Sequence, residues 1–134
     1  MGLIKTKKEI QIMAEGGKIL ATVLKEIERM VKPEITTKDL DRTAEALILK
    51  HKVKPAFKGY ENFPYSLCTS VNDIIVHGLP SDYKLKEGDI VGLDLGVLYK
   101  SYNIDMAVTI GVGKISFEAK RLLTVTKKAL KLGI

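Results

Sequence analysis

The stretch 88-GDIVGLDLGVLYKSYNIDMAVTI-110 decides the fold of this chain. Its first half alternates apolar residues with small or acidic ones: Val91, Leu93 and Leu95 against Gly92, Asp94 and Gly96. Alternation with a period of two, rich in β-branched residues, predicts a strand with one apolar face. A second strand is predicted from Met106 to Ile110. The stretch therefore predicts a β-hairpin.

Two acidic residues face each other in this hairpin. A two-residue turn at Tyr99-Lys100 would place Asp94 directly opposite Asp105. Opposed residues on antiparallel strands have Cβ atoms roughly 4.5–5.5 Å apart, and like charges at that distance are unfavourable. A shared proton, or a hard cation or cation pair between the carboxylates, would remove the conflict. Alternatively, Asp94 caps a backbone group and Asp105 belongs to a turn. Tyr99-Lys100 is also poor chemistry for a primed turn, so a longer loop and another register stay open.

Length and composition indicate one domain over residues 1–134, with a hydrophobic fraction of 46%. No apolar run approaches the roughly 18 residues of a membrane span, so no membrane association is predicted. The N-terminus MGLIKTKKEI lacks the apolar region of a signal peptide. The lone cysteine, Cys68, cannot form an internal disulfide, which suits a reducing compartment. These observations predict a cytoplasmic protein.

The chain is basic, with 22 Lys and Arg against 16 Asp and Glu and a net charge of +6. The lysines are spread over nearly every segment, which is typical of solvated helix faces. Weak affinity for the ribosome is compatible with this charge. No basic motif interleaved with aromatic residues supports specific recognition of nucleic acid.

Three helices are predicted. The first begins at the capping box of Thr6 and Glu9 and ends at Lys32-Pro33, with Gly17 on its apolar stripe. The second begins at Thr36-Thr37 and ends near His51, as a cap or solvated residue. The third begins at Ser116, and its buried stripe is predicted to comprise Ala119, Leu122, Leu123, Thr126, Ala129 and Leu130. Gly133-Ile134 either closes this helix as a glycine C-cap, or the helix is cut here in mid-course.

The middle of the chain predicts a loop over residues 54–66, followed by a short strand pair. The strands are Leu67 to Val71 and Ile74 to Val76, joined at Asn72-Asp73. Two helices, four short strands and a final helix predict an α+β fold.

A second motif follows the loop in the stretch 68-CTSVNDIIVHGLP-80. His77 ends an apolar run, where a neutral imidazole can bind a substrate amide or serve as a hydrogen-bonded structural residue. Cys68 has no obvious partner base, so it is interpreted as a small buried hydrophobe. The preceding aromatics, Tyr60 and Phe63 among them, line an apolar pocket or pack in the core.

With both motifs considered, the chain resembles the methionine aminopeptidases, specifically type I. The matching residues are Ile4-Lys5-Thr6, Glu9-Ile10, Met13, Val31-Lys32-Pro33, Thr36-Thr37, Leu40-Asp41, Gly59-Tyr60, Phe63-Pro64, Ser66, Cys68, Ser70-Val71-Asn72, His77-Gly78, Pro80, Gly88-Asp89-Ile90-Val91, Asp94, Gly96, Asp105 and Thr109. The resemblance implies the pita-bread fold, in which two pseudo-symmetric halves close on a dinuclear metal centre. This chain would be one half of that fold, an antiparallel sheet packed against helices.

By this resemblance, Asp94 would chelate one metal ion and Asp105 would bridge two. His77 would bind the scissile peptide group, and Tyr60, Phe63 and Cys68 would border the pocket for the methionine side chain. The cofactors would be two divalent ions about 3.5–4 Å apart, with Mn, Fe or Co suited to carboxylate ligands. The substrate would be the N-terminus of a nascent polypeptide.

The chain also departs from the family pattern. Glu34 and Asn62 stand where glycine is usual, and Gly92, Ile104 and Val108 replace other common residues. The family completes its site with a histidine and two glutamates from a second half, and this sequence covers only the first half. We therefore expect little activity from it alone, with a longer gene product, a second polypeptide or a second copy completing the fold. The alternative is a truncated, non-catalytic binding module, for example one associated with the ribosome.

Overall fold

A computed structural model describes residues 4–134 of the chain. The part of the N-terminal prediction that falls on residues 1–3 lies outside the described residues. The described elements are the helices α1 (Lys7–Met30), α2 (Thr37–Lys50) and α3 (Phe117–Gly133), the strands β1 (Lys54–Pro55), β2 (Leu67–Val71), β3 (Ile90–Tyr99) and β4 (Tyr102–Gly111), and a 3-10 turn at Tyr60–Asn62. This order confirms the predicted α+β class.

The sheet is antiparallel and has β3 at its centre. β4 pairs with one edge of β3 along the whole length of the strand. β2 and β1 pair with successive parts of the other edge of β3. The predicted alternation is observed on β3, where Val91, Leu93, Leu95 and Val97 are fully buried on one face. The opposite face carries Asp94, so one strand separates the core from the candidate site.

The helices α1 and α2 cover the apolar face of the sheet. The predicted capping box is present, with Thr6 N–H donating to Glu9 Oε2 at 2.7 Å and Glu9 N–H to Thr6 Oγ1 at 3.3 Å. Gly16 is the glycine at the contact with the hairpin, because a Cβ there would lie 2.8 Å from Ile104 Cγ1. Gly17, which the sequence placed on the packed stripe, faces open space.

The hairpin register differs from the predicted one. Lys100 and Ser101 form the two-residue turn, with φ of 45° and 71°, and Tyr99 pairs with Tyr102. The turn position coincides with bonds to α1: Tyr99 Oη donates to Glu15 Oε2 at 3.0 Å, and Lys100 Nζ lies 2.9 Å from the same oxygen. The sequence predicted the turn at Tyr99-Lys100, one residue too early. Contacts with the distant helix α1 favour the turn at Lys100-Ser101.

The predicted strand from Ile74 to Val76 is wrong. Those residues belong to a loop in which Ile75 is 91% exposed. The N–H of Thr69 on the edge of β2 donates instead to Gly78 O at 2.8 Å. The loop therefore contacts this edge of β2 at Gly78, and residues 74–76 are exposed to solvent.

The predicted buried stripe of α3 is also wrong. Ser116 caps the helix as expected, its Oγ accepting from Ala119 N–H at 3.1 Å. Within the described residues, however, no residue of α3 is buried, and Leu122 and Leu130 are 57% and 63% exposed. The periodicity correctly predicted the helix, but the face it marks is not covered by residues 4–134. None of the helices described is long and apolar enough to cross a lipid bilayer.

Candidate metal and substrate site

The exposed face of the sheet brings three of the predicted site residues together. Asp94 of β3 lies beside Cys68 of β2 in the strand register, and Gly96 lies opposite Asp105 of β4. Asp94 itself pairs with Ala107, so the two aspartates are diagonal neighbours instead of directly opposed ones. The observed partner of Asp94 is two residues from the predicted one. Because side chains alternate between the faces of a strand, a shift of two residues keeps both carboxylates on the same face.

The two carboxylates interact strongly. The pKa of Asp94 is raised to about 6, mainly because the group is partly buried; the charge of Asp105 and a hydrogen bond shared with its carboxyl contribute to the rise, and His77 opposes it. Asp94 Oδ1 is buried and has no hydrogen-bond partner among the described residues. A buried carboxylate oxygen without a donor is costly, so this atom is suited to a cation or a shared proton.

The fit to a metal ion is partial. Carboxylate oxygens are suitable ligands for hard divalent cations. Across residues 4–134, however, no group of three or more His, Cys, Asp or Glu side chains is arranged to hold a metal ion. The described residues therefore provide a pair of oxygen ligands and leave the remaining positions of a coordination sphere to other groups.

Cys68 is buried and pairs with Asp94 across the neighbouring strands. Burial, together with the smaller effects of the charges of Asp94 and Asp105, raises the pKa of the thiol to about 11. A thiol with this pKa stays protonated at neutral pH, so it is a poor nucleophile. The interpretation of Cys68 as a small buried hydrophobe agrees with this environment.

His77 reaches the site from the loop between β2 and β3. Its backbone has φ of 57°, a left-handed conformation, and its side chain is exposed. It is close enough to Asp94 for its charge to lower the pKa of that carboxyl. The imidazole is therefore exposed to solvent and near enough to Asp94 for its charge to influence that carboxyl.

The aromatic loop approaches the same face of the sheet. Ala56 N–H donates to Gly96 O at 2.9 Å, and a Cβ on Gly96 would lie 2.8 Å from the Phe57 ring. Tyr60 is 68% exposed, and Phe63 packs edge-to-face on Tyr65, with ring centroids 6.1 Å apart. The loop thus places Phe57 directly over β3, while Tyr60 and Phe63 lie farther along it.

Two buried carboxylates support the site without having been singled out for a role from the sequence. Asp41 Oδ1 accepts from Ser66 N–H at 2.8 Å and Leu67 N–H at 3.0 Å, which fixes the start of β2. Asp89 accepts from Asn72 Nδ2 at 2.9 Å and from Tyr83 Oη at 2.9 Å, which ties together the two ends of the His77 loop. Their partners in β2 and the loop are up to 26 residues away, so no local spacing indicates these contacts.

Comparison with known proteins agrees with this geometry. The sequence model of Metallopeptidase family M24 matches residues 11–134. The chain therefore belongs to metallopeptidase family M24, the class that its half pita-bread fold and paired carboxylates indicate.

Within that family the similarity is to methionine aminopeptidases. The methionine aminopeptidase of Clostridium perfringens is 46% identical over 134 residues, which are 100% of this chain and 54% of that protein. The crystal structure of methionine aminopeptidase from Rickettsia prowazekii has a TM-score of 0.96 at 38% identity and covers 100% of this chain and 54% of its own. The Thermotoga maritima enzyme gives 0.94 at 41% identity with the same coverage. The resemblance inferred from the motifs is confirmed, and the chain spans about half the length of these relatives.

Proposed function

We propose that this chain is the N-terminal half of the catalytic domain of a metal-dependent aminopeptidase that removes methionine from the N-termini of nascent proteins. The observation that carries the proposal is the Asp94–Asp105 pair, in which mutual charge and burial raise the pKa of Asp94 to about 6. The family and the names of the relatives support the same chemistry. The type I signature, with His77-Gly78 followed by Pro80, gives the expected subclass.

Asp94 and Asp105 would hold two divalent ions, with Mn, Fe or Co the suitable candidates. Asp94 would bind one ion through the oxygen that lacks a partner within the described residues, and Asp105 would contact both. Bound ions of this kind polarise a carbonyl group and lower the pKa of coordinated water.

The chain's own residues would bind and orient the substrate. The imidazole of His77, which is exposed and near enough to Asp94 to influence its pKa, would hydrogen-bond the scissile peptide group. Cys68 would form an apolar wall of the methionine pocket, because its thiol stays neutral, and Tyr60 and Phe63 would border its outer part. An apolar pocket next to two ligand carboxylates separates recognition of the side chain from chemistry at the peptide group.

A chimera tests the proposal directly. Residues 1–134 would be joined to the part of the Clostridium perfringens relative that lies beyond the matched region. We expect manganese-dependent release of methionine from the peptide Met-Ala-Ser, and a loss of at least about 100-fold in Asp94→Asn, because a metal ligand is lost. Asp82→Asn, an exposed carboxylate in the polar connection before β3, is the matched control and should retain activity. A folded but inactive chimera would contradict the proposal.

The chain alone should hydrolyse Met-Ala-Ser no faster than a blank containing only the metal. Its two carboxylates do not complete a coordination sphere within the described residues, so the remaining ligands would come from a longer form of the same polypeptide, a second polypeptide or a second copy. Robust turnover by the purified 134-residue chain would disprove this part of the proposal. We further propose that the protein acts in the cytoplasm, at or near the ribosome.

The second candidate function is a non-catalytic binding module with the same fold, for which the ribosome is the proposed partner. It is favoured by the missing third ligand among residues 4–134 and by the net charge of +6. Calorimetric titration with Mn or Co separates the two. In the chimera, which supplies the remaining ligands, tight binding of two ions that is lost in Asp105→Asn favours the enzyme, whereas weak or absent binding favours the binding module.

A further inference from the structure

The loop that carries His77 is fixed to the sheet at one residue, Gly78. Gly78 O accepts from Thr69 N–H at 2.8 Å, and Gly78 N–H donates to the side-chain oxygen of Ser70 at 3.2 Å. A Cβ on Gly78 would lie 2.2 Å from Thr69 O, so the close approach requires glycine. Both polar groups of this residue are therefore held by β2.

The contact with Ser70 acts directly on His77. The N–H of Gly78 belongs to the peptide group that joins His77 to Gly78, so the Ser70 hydroxyl fixes the plane of that peptide. The plane determines ψ of His77 and hence the direction of its side chain relative to β2. Because His77 already has a left-handed φ of 57°, a conformation uncommon for a residue with a side chain, an external contact is needed to hold it.

Ser70 occupies the correct face for this role. It pairs with Gly92 of β3, two residues along from the pairing of Cys68 with Asp94, so Ser70 and the carboxylates share the exposed face of the sheet. A Cβ added at Gly92 would lie 3.5 Å from the Ser70 Cβ, an ordinary contact distance, so the Ser70 side chain lies directly beside Gly92. The Ser70 hydroxyl, which accepts from Gly78 N–H, therefore links this face of the sheet to the loop.

We propose that Ser70 is a positioning residue, which orients the His77 imidazole over the carboxylate pair through the Gly78 N–H. The inference rests on the proposed function only for the role of His77 in binding substrate. The hydrogen bond between Gly78 N–H and Ser70 is present whether or not the protein turns over a substrate. Asp89 accepts hydrogen bonds from Asn72 and Tyr83 and so holds the two ends of the same loop together. Ser70 contacts the loop near its middle, next to His77.

NMR spectroscopy of the 134-residue chain tests this role. The chain has two histidines, so the imidazole signals of His77 can be assigned, and His51 at the end of α2 is an internal control. In Ser70→Ala we expect about tenfold faster hydrogen exchange of the Gly78 amide, the factor for about one lost hydrogen bond. The His77 imidazole signals should shift and broaden, while those of His51 stay unchanged.

Two further variants separate positioning from general stability. Ser70→Thr keeps the hydroxyl and should restore both the slow exchange of Gly78 and the His77 signals. Thr69→Val removes a buried hydroxyl that has no hydrogen-bond partner among the described residues, so it should leave both readouts unchanged. If Ser70→Ala does not fold, Ser70→Cys, which keeps the volume and weakens the acceptor, replaces it in the comparison.

The outcomes are distinguishable from failure of the proposed function. His77 signals that are the same in Ser70→Ala and the parent, or signals that shift equally in Thr69→Val, would overturn the positioning role whatever the chimera's activity. An inactive chimera, in turn, would leave a shifted and Thr-rescued His77 signal as support for this inference.

Discussion

At the scale of single residues, the site depends on a carboxyl group that holds its proton more tightly than an ordinary aspartate does. Asp94 is partly buried next to a like charge, and these surroundings raise its pKa to about 6 from an ordinary value of 3.8. Between these two values the folded state binds the proton more tightly than the unfolded state. The free energy of unfolding contributed by Asp94 is therefore largest below about pH 4 and is lost as the pH rises through about 6.

Asp94→Asn should remove this pH dependence in metal-free protein. Since asparagine carries no charge at any pH, the melting temperature of the variant should exceed that of the parent increasingly as the pH rises from about 4 to 7. Thermal unfolding in a chelating buffer at several pH values measures the difference. Asp73→Asn, in the exposed loop, controls for the removal of a surface charge. A difference that stays constant with pH would contradict the assignment.

Gly96→Ala tests the close packing of the aromatic loop on β3. The added Cβ would lie 2.8 Å from the Phe57 ring and 3.2 Å from the backbone oxygen of Ile104. Because the backbone contact cannot yield easily, we expect a loss of about 1–3 kcal/mol in the free energy of unfolding by urea. Gly17→Ala, where the added Cβ meets open space within α1, is the control and should raise stability by up to about 1 kcal/mol. Equal effects of the two substitutions would show that the loop is not packed as described.

At the scale of elements, the hairpin turn is held by α1. Tyr102 Oη donates to Glu9 Oε1 at 3.0 Å, and Lys100 Nζ lies 2.9 Å from Glu15 Oε2, on opposite sides of the turn. Neither Lys100 nor Ser101 is a residue that favours positive φ, so the turn carries local strain. The register that makes Asp94 and Asp105 diagonal neighbours is thus stabilised by a helix more than 80 residues away in sequence.

Ser101→Gly should relieve part of that strain. Glycine adopts the observed φ of 71° without steric cost, so we expect a gain of about 0.5–1 kcal/mol in stability to urea. Ser101→Ala keeps the Cβ and should be nearly neutral, which makes it the matched control. If alanine stabilises as much as glycine does, the left-handed backbone is not the source of the effect.

At the scale of the whole molecule, the core lies between the sheet and the helices α1 and α2. The departures of Glu34 and Asn62 from glycine fall at positions with φ of 71° and 66°, where the backbone geometry favours glycine. Both residues lie outside the helices and strands that build the core. The fold accepts them because the packed interior does not depend on these positions.

Leucine-to-alanine substitutions should distinguish the core from α3. Leu20 is fully buried, so Leu20→Ala should cost about 2–5 kcal/mol of unfolding free energy. Leu122 is 57% exposed, and Leu122→Ala should cost no more than about 0.5 kcal/mol. Urea unfolding of both variants makes the comparison. A large loss in Leu122→Ala would show that α3 is packed in solution against a surface beyond those described.

Much of the molecule follows from local sequence. Alternating residues on β3 predicted which face is buried, and Thr6, Thr36 and Ser116 predicted the beginnings of the helices. These signals are reliable because side-chain period and capping depend on neighbours within a few residues. The motifs that carry Asp94, Asp105 and His77 were sufficient to indicate the family.

The remaining features depend on contacts between distant segments. The exact pairing of the hairpin follows bonds from α1 to its turn, and the path of residues 74–76 follows the bond from Thr69 to Gly78. The exposure of α3 likewise depends on which surfaces meet it, which periodicity does not specify. The sequence by itself determined the elements, the buried face and the family, because these depend on short-range pattern. Only the tertiary structure decided the register, the loop path and the surroundings of Asp94, because those depend on which distant groups compete for the same hydrogen bonds and the same space.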